Sequence, residues 1–337
     1  MSTATQLLFD STGALDHPVT RTALAISAAA LAATPLVMLA LQAMGKVSEK
    51  TRRDVWTRYF TWLWLTPAIV LPIVWCPLSA VLMFTLASIL CYRELSRATG
   101  LFRERAISAV VVIGILALGF AAADRWYGFF VAITPLTMTF IAVVGVLPDR
   151  PKGYLQRVSL AAVSFLLFGS GLMHLAYMTV DVNYRPILCA LVLCAQGSDI
   201  AAYCCGKAFG HRKLFANTSP NKTLGGHLGA LLITAPLAAY LMHLTLPNTP
   251  IDRWWWLAAF GLVIAICAQF GDLVLGSIKR DLGVKDLAVT LPGHGGFSDR
   301  FNSLLLVAPA AFHIIGYLVG FGLDRPVRIL SSLFSGE

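Results

Sequence analysis

The sequence predicts an all-α, polytopic integral membrane protein with about ten transmembrane helices. The mean hydropathy of the 337 residues is +0.73, and only 13% of them are charged. Both values lie far outside the range of soluble domains. Several apolar runs reach roughly the 20 residues that a helix needs to cross a bilayer. These runs are uniformly apolar, whereas the strands of a membrane barrel alternate between polar and apolar residues.

Ten segments fit transmembrane helices. In chain order they are 22–44, 59–76, 78–92, 107–123, 128–147, 158–180, 186–205, 226–246, 254–275 and 303–323. The boundary between the second and the third is the least defined, because these segments are short and nearly continuous through Cys76 and Pro77. No soluble domain has room to form between the segments.

The basic residues predict the orientation. If alternate loops face the cytosol, 20 of the 26 lysines and arginines fall in the cytosolic loops 46–58, 93–105, 150–157, 207–222 and 279–300. Cytosolic loops carry such an excess, so both termini are predicted to lie outside the cytosol. The net charge of +9 mostly reflects this asymmetry, with some attraction to anionic lipid headgroups. It therefore implies no nucleic-acid partner.

Carboxylates within apolar segments distinguish the C-terminal half. Asp199 lies in the seventh segment and Asp272 in the ninth. An acidic residue at the centre of a membrane helix costs roughly 2.5–3.5 kcal/mol on insertion scales, so each predicts a partner such as a cation or a metal ion. Asp272, Gly276 and Lys279 share one helix face and form a polar stripe toward the cytosolic mouth. The alternatives are a helix-packing role for Asp199 and an intrahelical salt bridge for Asp272, although seven residues are too far apart for direct contact.

The densest polar stretch is residues 276–303, GSIKRDLGVKDLAVTLPGHGGFSDRFNS. Its PGHGG sequence precedes an apolar helix, so backbone N–H groups and the helix N-terminus can face an anion. Ser298 is predicted to be the N-cap of that helix. Asp299 and Asn302 lie one turn apart, and both offer oxygen to a hard cation such as Mg²⁺.

A second polar loop, residues 206–230, has the sequence GKAFGHRKLFANTSPNKTLGGHLGA. Lys222 lies between a tight turn at Ser219 and a glycine-rich helix start, whereas Arg212 and Lys213 fit ordinary positive-inside anchors equally well. The aspartates, glycine turns and cations together suit a Mg²⁺-nucleotide or pyrophosphate at the membrane surface. The sequence therefore predicts phosphoryl or nucleotidyl transfer onto a lipid.

The same stretches carry a family resemblance. KRDLGVKDLAVTLPGHGGFSDRFN resembles the phosphatidate cytidylyltransferase (CDP-diacylglycerol synthase) pattern K-R-x4-K-D-x5-P-G-H-G-G-x-x-D-R-x-D. Upstream, GSDIAAYCCGKAFGHRKLFANTSPNKT is similar to the family's D-x-x-A-Y-x-x-G-x-x-x-G element and its later S-P-x-K-T, and GD at 271–272 stands where the family has it. The resemblance is specific over roughly residues 196–305.

Three positions depart from the family pattern. Asn302 replaces its final aspartate, Gly225 replaces the glutamate of K-T-x-E-G, and Leu287 stands where serine commonly follows Lys-Asp. Asparagine keeps one carbonyl ligand but loses a charge, and Gly225 removes a base or acceptor. A divergent paralogue that acts on another lipid acceptor is therefore an alternative interpretation.

The resemblance implies that CTP and phosphatidic acid give CDP-diacylglycerol and pyrophosphate. It implies Mg²⁺, with a second metal ion or K⁺ as an open alternative, and a homodimer. The implied catalytic residues are Asp272, Asp299, Lys285 and Asp286. The implied metal ligands are Asp199, Asp272, Asp299 and Asn302. The implied nucleotide-binding and phosphate-binding residues are Ser219, Lys222, Lys279, Arg280, His294, Gly295, Gly296 and Arg300.

The chain is accordingly divided into an N-terminal transmembrane scaffold, 1–180, and a C-terminal transmembrane region, 181–337, with cytosolic catalytic loops. We expect it in a bacterial inner membrane, with the active site facing the cytosol. Three alternatives remain: transfer to another lipid phosphate or a polyprenol, a silent paralogue that binds lipid or nucleotide, and a transporter. Transporters usually place their acids near mid-bilayer between inverted repeats, whereas here the polar clusters lie in loops.

Overall fold

The computed structural model describes residues 3–45, 47–321 and 328–331, in which the regular elements are helices. The helices are α1 (Thr3–Leu8), α2 (Pro18–Ala43), α3 (Glu49–Trp75), α4 (Pro77–Thr99), α5 (Arg105–Ala123), α6 (Tyr127–Val146), α7 (Tyr154–Ser164), α8 (Leu172–Tyr177), α9 (Tyr184–Phe209), α10 (Leu224–Thr245), α11 (Trp254–Asp281), α12 (Ser298–Phe301) and α13 (Leu304–Leu318). A π-helical segment, Phe165–Gly171, joins α7 to α8.

Eight helical stretches are long and apolar enough to cross a membrane within the described residues. They are α2, α4, α5, α6, the continuous stretch Tyr154–Val180, α9, α10 and α11. The prediction of an all-α, polytopic membrane protein is confirmed. The second predicted segment lies in α3, which is not among the eight and begins with a charged stretch. The tenth is the shorter apolar helix α13, which ends before Gly320, a residue with a φ of +90°.

α4 and α11 both extend beyond the C-terminal ends of their predicted segments. α4 continues past residue 92 to Thr99 and ends at Gly100, whose φ of +79° suits the left-handed conformation that stops a helix. α11 continues past residue 275 to Asp281. Each extra turn carries polar side chains beyond the apolar run, so hydropathy alone placed these ends too early.

One cluster of buried hydrophobic residues extends from Val19 to Phe321 and includes side chains from both halves of the chain. The backbones of α9 and α10 approach closely at glycines. A Cβ atom on Gly226 would lie 2.6 Å from the carbonyl oxygen of Ala202. Small residues allow such close approach between membrane helices. The division of the chain at residue 180 stays a prediction.

The basic loops meet at one end of the helix bundle. Thr61, in the middle of α3, donates to the carbonyl of Pro292. Arg280 at the end of α11 donates to the carbonyl of Thr218, in the loop before α10. Arg157 Nε lies 3.7 Å from Glu104 Oε1 and links two further basic loops. The contacts therefore gather the predicted functional loops at one end of the bundle.

Candidate active site

The PGHGG sequence forms a tight turn. The N–H of Leu291 donates to the carbonyl of Gly295 at 2.8 Å, and the N–H of His294 donates to the carbonyl of Leu291 at 3.0 Å. Gly293 and Gly295 have φ values of +73° and +76°, which glycine adopts without a Cβ penalty. The glycines are therefore needed to form the turn.

A buried carboxylate from α4, that of Glu94, holds the segment after this turn. Its oxygens accept hydrogen bonds from Phe297 N at 2.8 Å, Ser298 N at 2.9 Å, Ser298 Oγ at 2.7 Å and Thr290 Oγ1 at 2.5 Å. Ser298 is consequently not the N-cap of α12; that prediction was wrong, because Phe297 occupies the cap position and the serine hydroxyl is used by Glu94.

Sequence reasoning missed Glu94. The residue follows Arg93, and a charged pair at the end of an apolar run reads as the start of a loop. A signal was nevertheless present. Cys91 and Leu95 continue the apolar helix face beyond residue 92, and a helix that includes them places Glu94 against the same interior.

Asp299 closes the glycine turn and pairs with α11. Its Oδ1 lies 2.7 Å from Lys279 Nζ, and its Oδ2 accepts a 3.0 Å hydrogen bond from the N–H of Gly296. Both side chains of the ion pair are largely buried. Asp286 approaches the same turn, since a Cβ on Gly295 would lie 3.1 Å from Asp286 Oδ1.

A second aspartate–lysine pair joins α11 to the loop before α10. Asp272 Oδ2 lies 2.6 Å from Lys222 Nζ, and Asp272 Oδ1 accepts a 2.6 Å hydrogen bond from Asn302 Nδ2. α11 can approach residue 302 because Gly271, the residue before Asp272, has no side chain. A Cβ on Gly271 would lie 3.1 Å from the carbonyl oxygen of Ser303. Residues from two other stretches of the chain thus converge on Asp272.

Asp199 reaches the same cluster through a serine. Ser303 Oγ donates to Asp199 Oδ2 at 3.2 Å, and the N–H of Ser303 donates to Asn302 Oδ1 at 2.8 Å. The carboxylate of α9 therefore lies beside the residues that bind Asp272. The structure brings together Asp199, Asp272 and Asn302, three of the four predicted metal ligands.

Arg300 lies close enough to Asp299, Asp199 and Asp272 for the charges of all three to act on its guanidinium. Burial lowers the pKa of its guanidinium, while the charges of Asp299, Asp199 and Asp272 oppose that change. The nearby ring of His294 has a lowered pKa because of burial and the charge of Arg300, so its neutral form predominates at pH 7. The site thus keeps Arg300 as a charged group that acts on all three aspartates.

Two predicted phosphate-binding residues, Ser219 and Arg280, and the predicted catalytic residue Lys285 lie at the edge of the site. The carbonyl of Ser219 accepts a 3.1 Å hydrogen bond from Lys222 N and closes the turn before α10. Arg280 Nε donates to Thr218 O at 3.3 Å, which fastens α11 to that turn. Lys285 is exposed to solvent. Their roles toward phosphate stay predictions.

The ligand atoms that this cluster offers indicate which metal ion it can hold. Among the described residues, no group of three or more His, Cys, Asp and Glu side chains is arranged to hold a metal ion. Asp272, Asp199 and Asn302 offer oxygen only, as hard cations prefer, and Mg²⁺ in nucleotide sites usually takes one or two carboxylates together with substrate phosphates. These residues fit a Mg²⁺ ion that arrives with a nucleotide.

Gly225, which replaces the family's glutamate, lies where α10 begins against the end of α9. A Cβ on Gly225 would lie 2.6 Å from the carbonyl oxygen of Phe209 and 2.9 Å from its carbon. Backbone atoms cannot move aside as a flexible side chain can. The local packing in this chain therefore leaves no room for the glutamate.

We expect Gly225→Ala to destabilise the protein by about 1–3 kcal/mol, as overpacking usually does, and Gly225→Glu to destabilise it further. Thermal unfolding in detergent measures the change. Gly197→Ala on α9 is the matched control, because a Cβ there meets Leu237 at an ordinary 3.7 Å. Equal melting temperatures for the variants at 225 and 197 would contradict the close approach.

One end of the helix bundle thus carries two aspartate–lysine pairs, a half-buried arginine and a glycine-rich turn, an arrangement that suits a membrane nucleotidyltransferase. The sequence model of the cytidylyltransferase family matches residues 56–318, and the chain belongs to that family. This confirms the family predicted from the motifs.

Individual relatives support the same assignment. The chain is 34% identical to the uncharacterized protein YnbB of Escherichia coli K12 over 240 residues, which are 69% of this chain and 78% of the relative. It is 32% identical to the phosphatidate cytidylyltransferases of Staphylococcus epidermidis over 179 residues and of Staphylococcus aureus over 174 residues. These two matches cover 52% of this chain and 65% of each staphylococcal protein.

Proposed function

We propose that the protein transfers the cytidylyl group of CTP to phosphatidic acid, giving CDP-diacylglycerol and pyrophosphate. The observation that carries this proposal is the pairing of Asp272 with Lys222 and of Asp299 with Lys279, with Arg300 near enough for the charges of both aspartates to act on it. The staphylococcal relatives, which are named phosphatidate cytidylyltransferases, support the choice of substrates.

The lipid phosphate attacks the α-phosphorus of CTP, and pyrophosphate leaves. No protein nucleophile is needed, because the attacking phosphate is already anionic near pH 7. Catalysis then consists of positioning and of neutralising charge. Lys222 and Lys279 neutralise the triphosphate, and Arg300, together with the turn at residues 291–296, positions the attacking lipid phosphate.

Mg²⁺ is proposed as the cofactor, with Asp272 as its principal protein ligand and Asp199 and Asn302 beside it. When bound, the ion supplies further positive charge to the triphosphate and its leaving group. Asp299 was also predicted to bind metal. In this structure it holds the glycine turn and Lys279, so its role as a ligand stays a prediction.

The site is proposed to face the cytosol of a bacterium, at the inner membrane. CTP is a cytosolic nucleotide, and the five basic loops that gather at this end carry most of the lysines and arginines. A homodimer stays a prediction from the family resemblance.

Purified full-length protein in detergent, supplied with CTP, phosphatidic acid and Mg²⁺, tests the proposal through pyrophosphate release and recovery of CDP-diacylglycerol. Replacing phosphatidic acid with other lipid phosphates or a polyprenol phosphate tests the second candidate. That candidate is favoured by Asn302 and Gly225, which depart from the family pattern. Turnover with another lipid phosphate alone would replace the proposed acceptor, and binding without turnover would indicate a silent paralogue.

Asn302→Asp tests the metal site. In this chain the amide of Asn302 donates to Asp272, whereas an aspartate would place two carboxylates side by side. We expect the variant to melt lower than the wild type without Mg²⁺, and to regain stability and show a steeper Mg²⁺ dependence of activity when the ion is added. Thermal unfolding and activity across a Mg²⁺ titration measure both effects.

Asn302→Ala is the control for this titration, since it removes the amide without adding charge. If Asn302→Asp responds to Mg²⁺ no more strongly than Asn302→Ala does, the ion does not bind at the Asp272 cluster.

A further inference from the structure

One face of α3 packs on the glycine-rich turn of the candidate site. Thr61 Oγ1 donates a 2.8 Å hydrogen bond to the carbonyl of Pro292. The ring of Trp62 meets that of His294 edge to face, with centroids 5.6 Å apart. α3 therefore forms a wall of the site, although it belongs to the N-terminal half of the chain.

The same face brings Arg58 to the turn. A Cβ on Gly293 would lie 3.1 Å from Arg58 Cγ, so the stem of this arginine covers the glycine, while the residue as a whole is exposed. Burial is the main cause of the lowered pKa of His294 and of Arg300, and the charge of Arg58 adds to it in both. Arg58, His294 and Arg300 thus all border the same turn, where an anion would be attracted to the two arginines.

Arg300 presents an unused donor at this point. Its Nε is buried and has no hydrogen-bond partner among the described residues. A buried donor without a partner is costly, and a charged one more so. The fork of an arginine matches the oxygens of a phosphate. A phosphate group beside Arg300 would satisfy this donor.

The neighbouring face of α3 indicates which kind of molecule the phosphate group belongs to. Trp56, Phe60 and Trp64 recur every four residues and form one stripe. Phe60 is 58% exposed and Trp64 47% exposed, as expected for aromatic residues at a membrane interface. An anion held by Arg58 would therefore lie next to a surface suited to lipid chains.

We propose that Arg58, His294 and Arg300 bind the phosphomonoester headgroup of the acceptor lipid, with the Trp56–Phe60–Trp64 stripe alongside its acyl chains. This inference rests on the proposed function and assigns the acceptor to the α3 side of Arg300. The nucleotide then occupies the side of Lys222 and Lys279. Attack on the α-phosphorus takes place between the two sides.

Steady-state kinetics of Arg58→Ala in mixed micelles separate the two substrates. We expect the KM for phosphatidic acid to rise about tenfold, the value of one lost charge-assisted hydrogen bond, and the KM for CTP to stay within about twofold. Arg53→Ala, an exposed arginine on the same helix, is the matched control and should change neither. An equal rise in the KM for CTP, or no change in either KM, overturns the proposal.

A binding measurement makes the inference independent of turnover. Dioctanoyl phosphatidic acid without CTP should raise the melting temperature of the wild type and of Arg53→Ala, but not that of Arg58→Ala. Dioctanoylglycerol and inorganic phosphate should raise none of them. A shift by inorganic phosphate as large as that by the lipid, or an unchanged lipid response in Arg58→Ala, refutes the site even if the protein proves active. A wild type that binds the lipid but turns over no CTP would refute the proposed function alone.

Discussion

Asp272→Asn and Asp299→Asn are each expected to reduce CTP-dependent turnover by at least about a hundredfold, the loss typical of removing a group that acts on developing charge. Each substitution removes the negative charge that Lys222 or Lys279 contacts at 2.6 Å or 2.7 Å. The lysine then lacks its partner in each variant, and in Asp272→Asn the Mg²⁺ ion also loses its principal proposed ligand. Pyrophosphate release from CTP and phosphatidic acid measures the loss.

Asp281→Asn provides the matched control, because Asp281 is an exposed residue at the end of the same helix as Asp272. All three variants should be produced in the membrane at the wild-type level, since asparagine preserves the shape of the side chain. Near-normal turnover of either Asp272→Asn or Asp299→Asn would count decisively against the carboxylate assignment.

Glu94→Ala is the second substitution for which we expect a large effect, again about a hundredfold in kcat/KM. The change leaves the N–H groups of Phe297 and Ser298 and two hydroxyls without their acceptor. Losing hydrogen bonds to a buried charged acceptor costs about 1.5–3 kcal/mol each, which is enough to release the segment that positions Asp299. Glu94→Gln keeps one acceptor oxygen and should be intermediate.

Hydrogen exchange separates this positioning role from a general loss of stability. Backbone amides of residues 290–298 should exchange faster in Glu94→Ala, while those in α5 and α6 keep their protection. Glu49→Gln, on an exposed side chain, should match the wild type. Wild-type activity of Glu94→Ala, or faster exchange spread evenly over the helices, would show that Glu94 does not act through the turn.

Glu94 and Arg58 show why a resemblance confined to residues 196–305 described only part of the site. Both belong to the stretch predicted to be a scaffold, yet one anchors the glycine-rich turn and the other covers it. Neither stands in a recognisable motif. Their importance depends on α3 and α4 packing beside α11 and α12, and a pattern of apolar residues does not specify which helix becomes the neighbour of which.

The sequence by itself determined that the chain is a helical membrane protein of the cytidylyltransferase family, and it predicted the candidate site in the stretches 206–230 and 276–303. Hydropathy, charge asymmetry and motif spacing are properties of contiguous residues, and they can be read without knowing the fold. The tertiary structure alone decided the pairing of Asp272 with Lys222, fifty positions apart, and the burial of Glu94. These depend on which helix faces meet, and side-chain contact between distant segments arises only when the bundle packs.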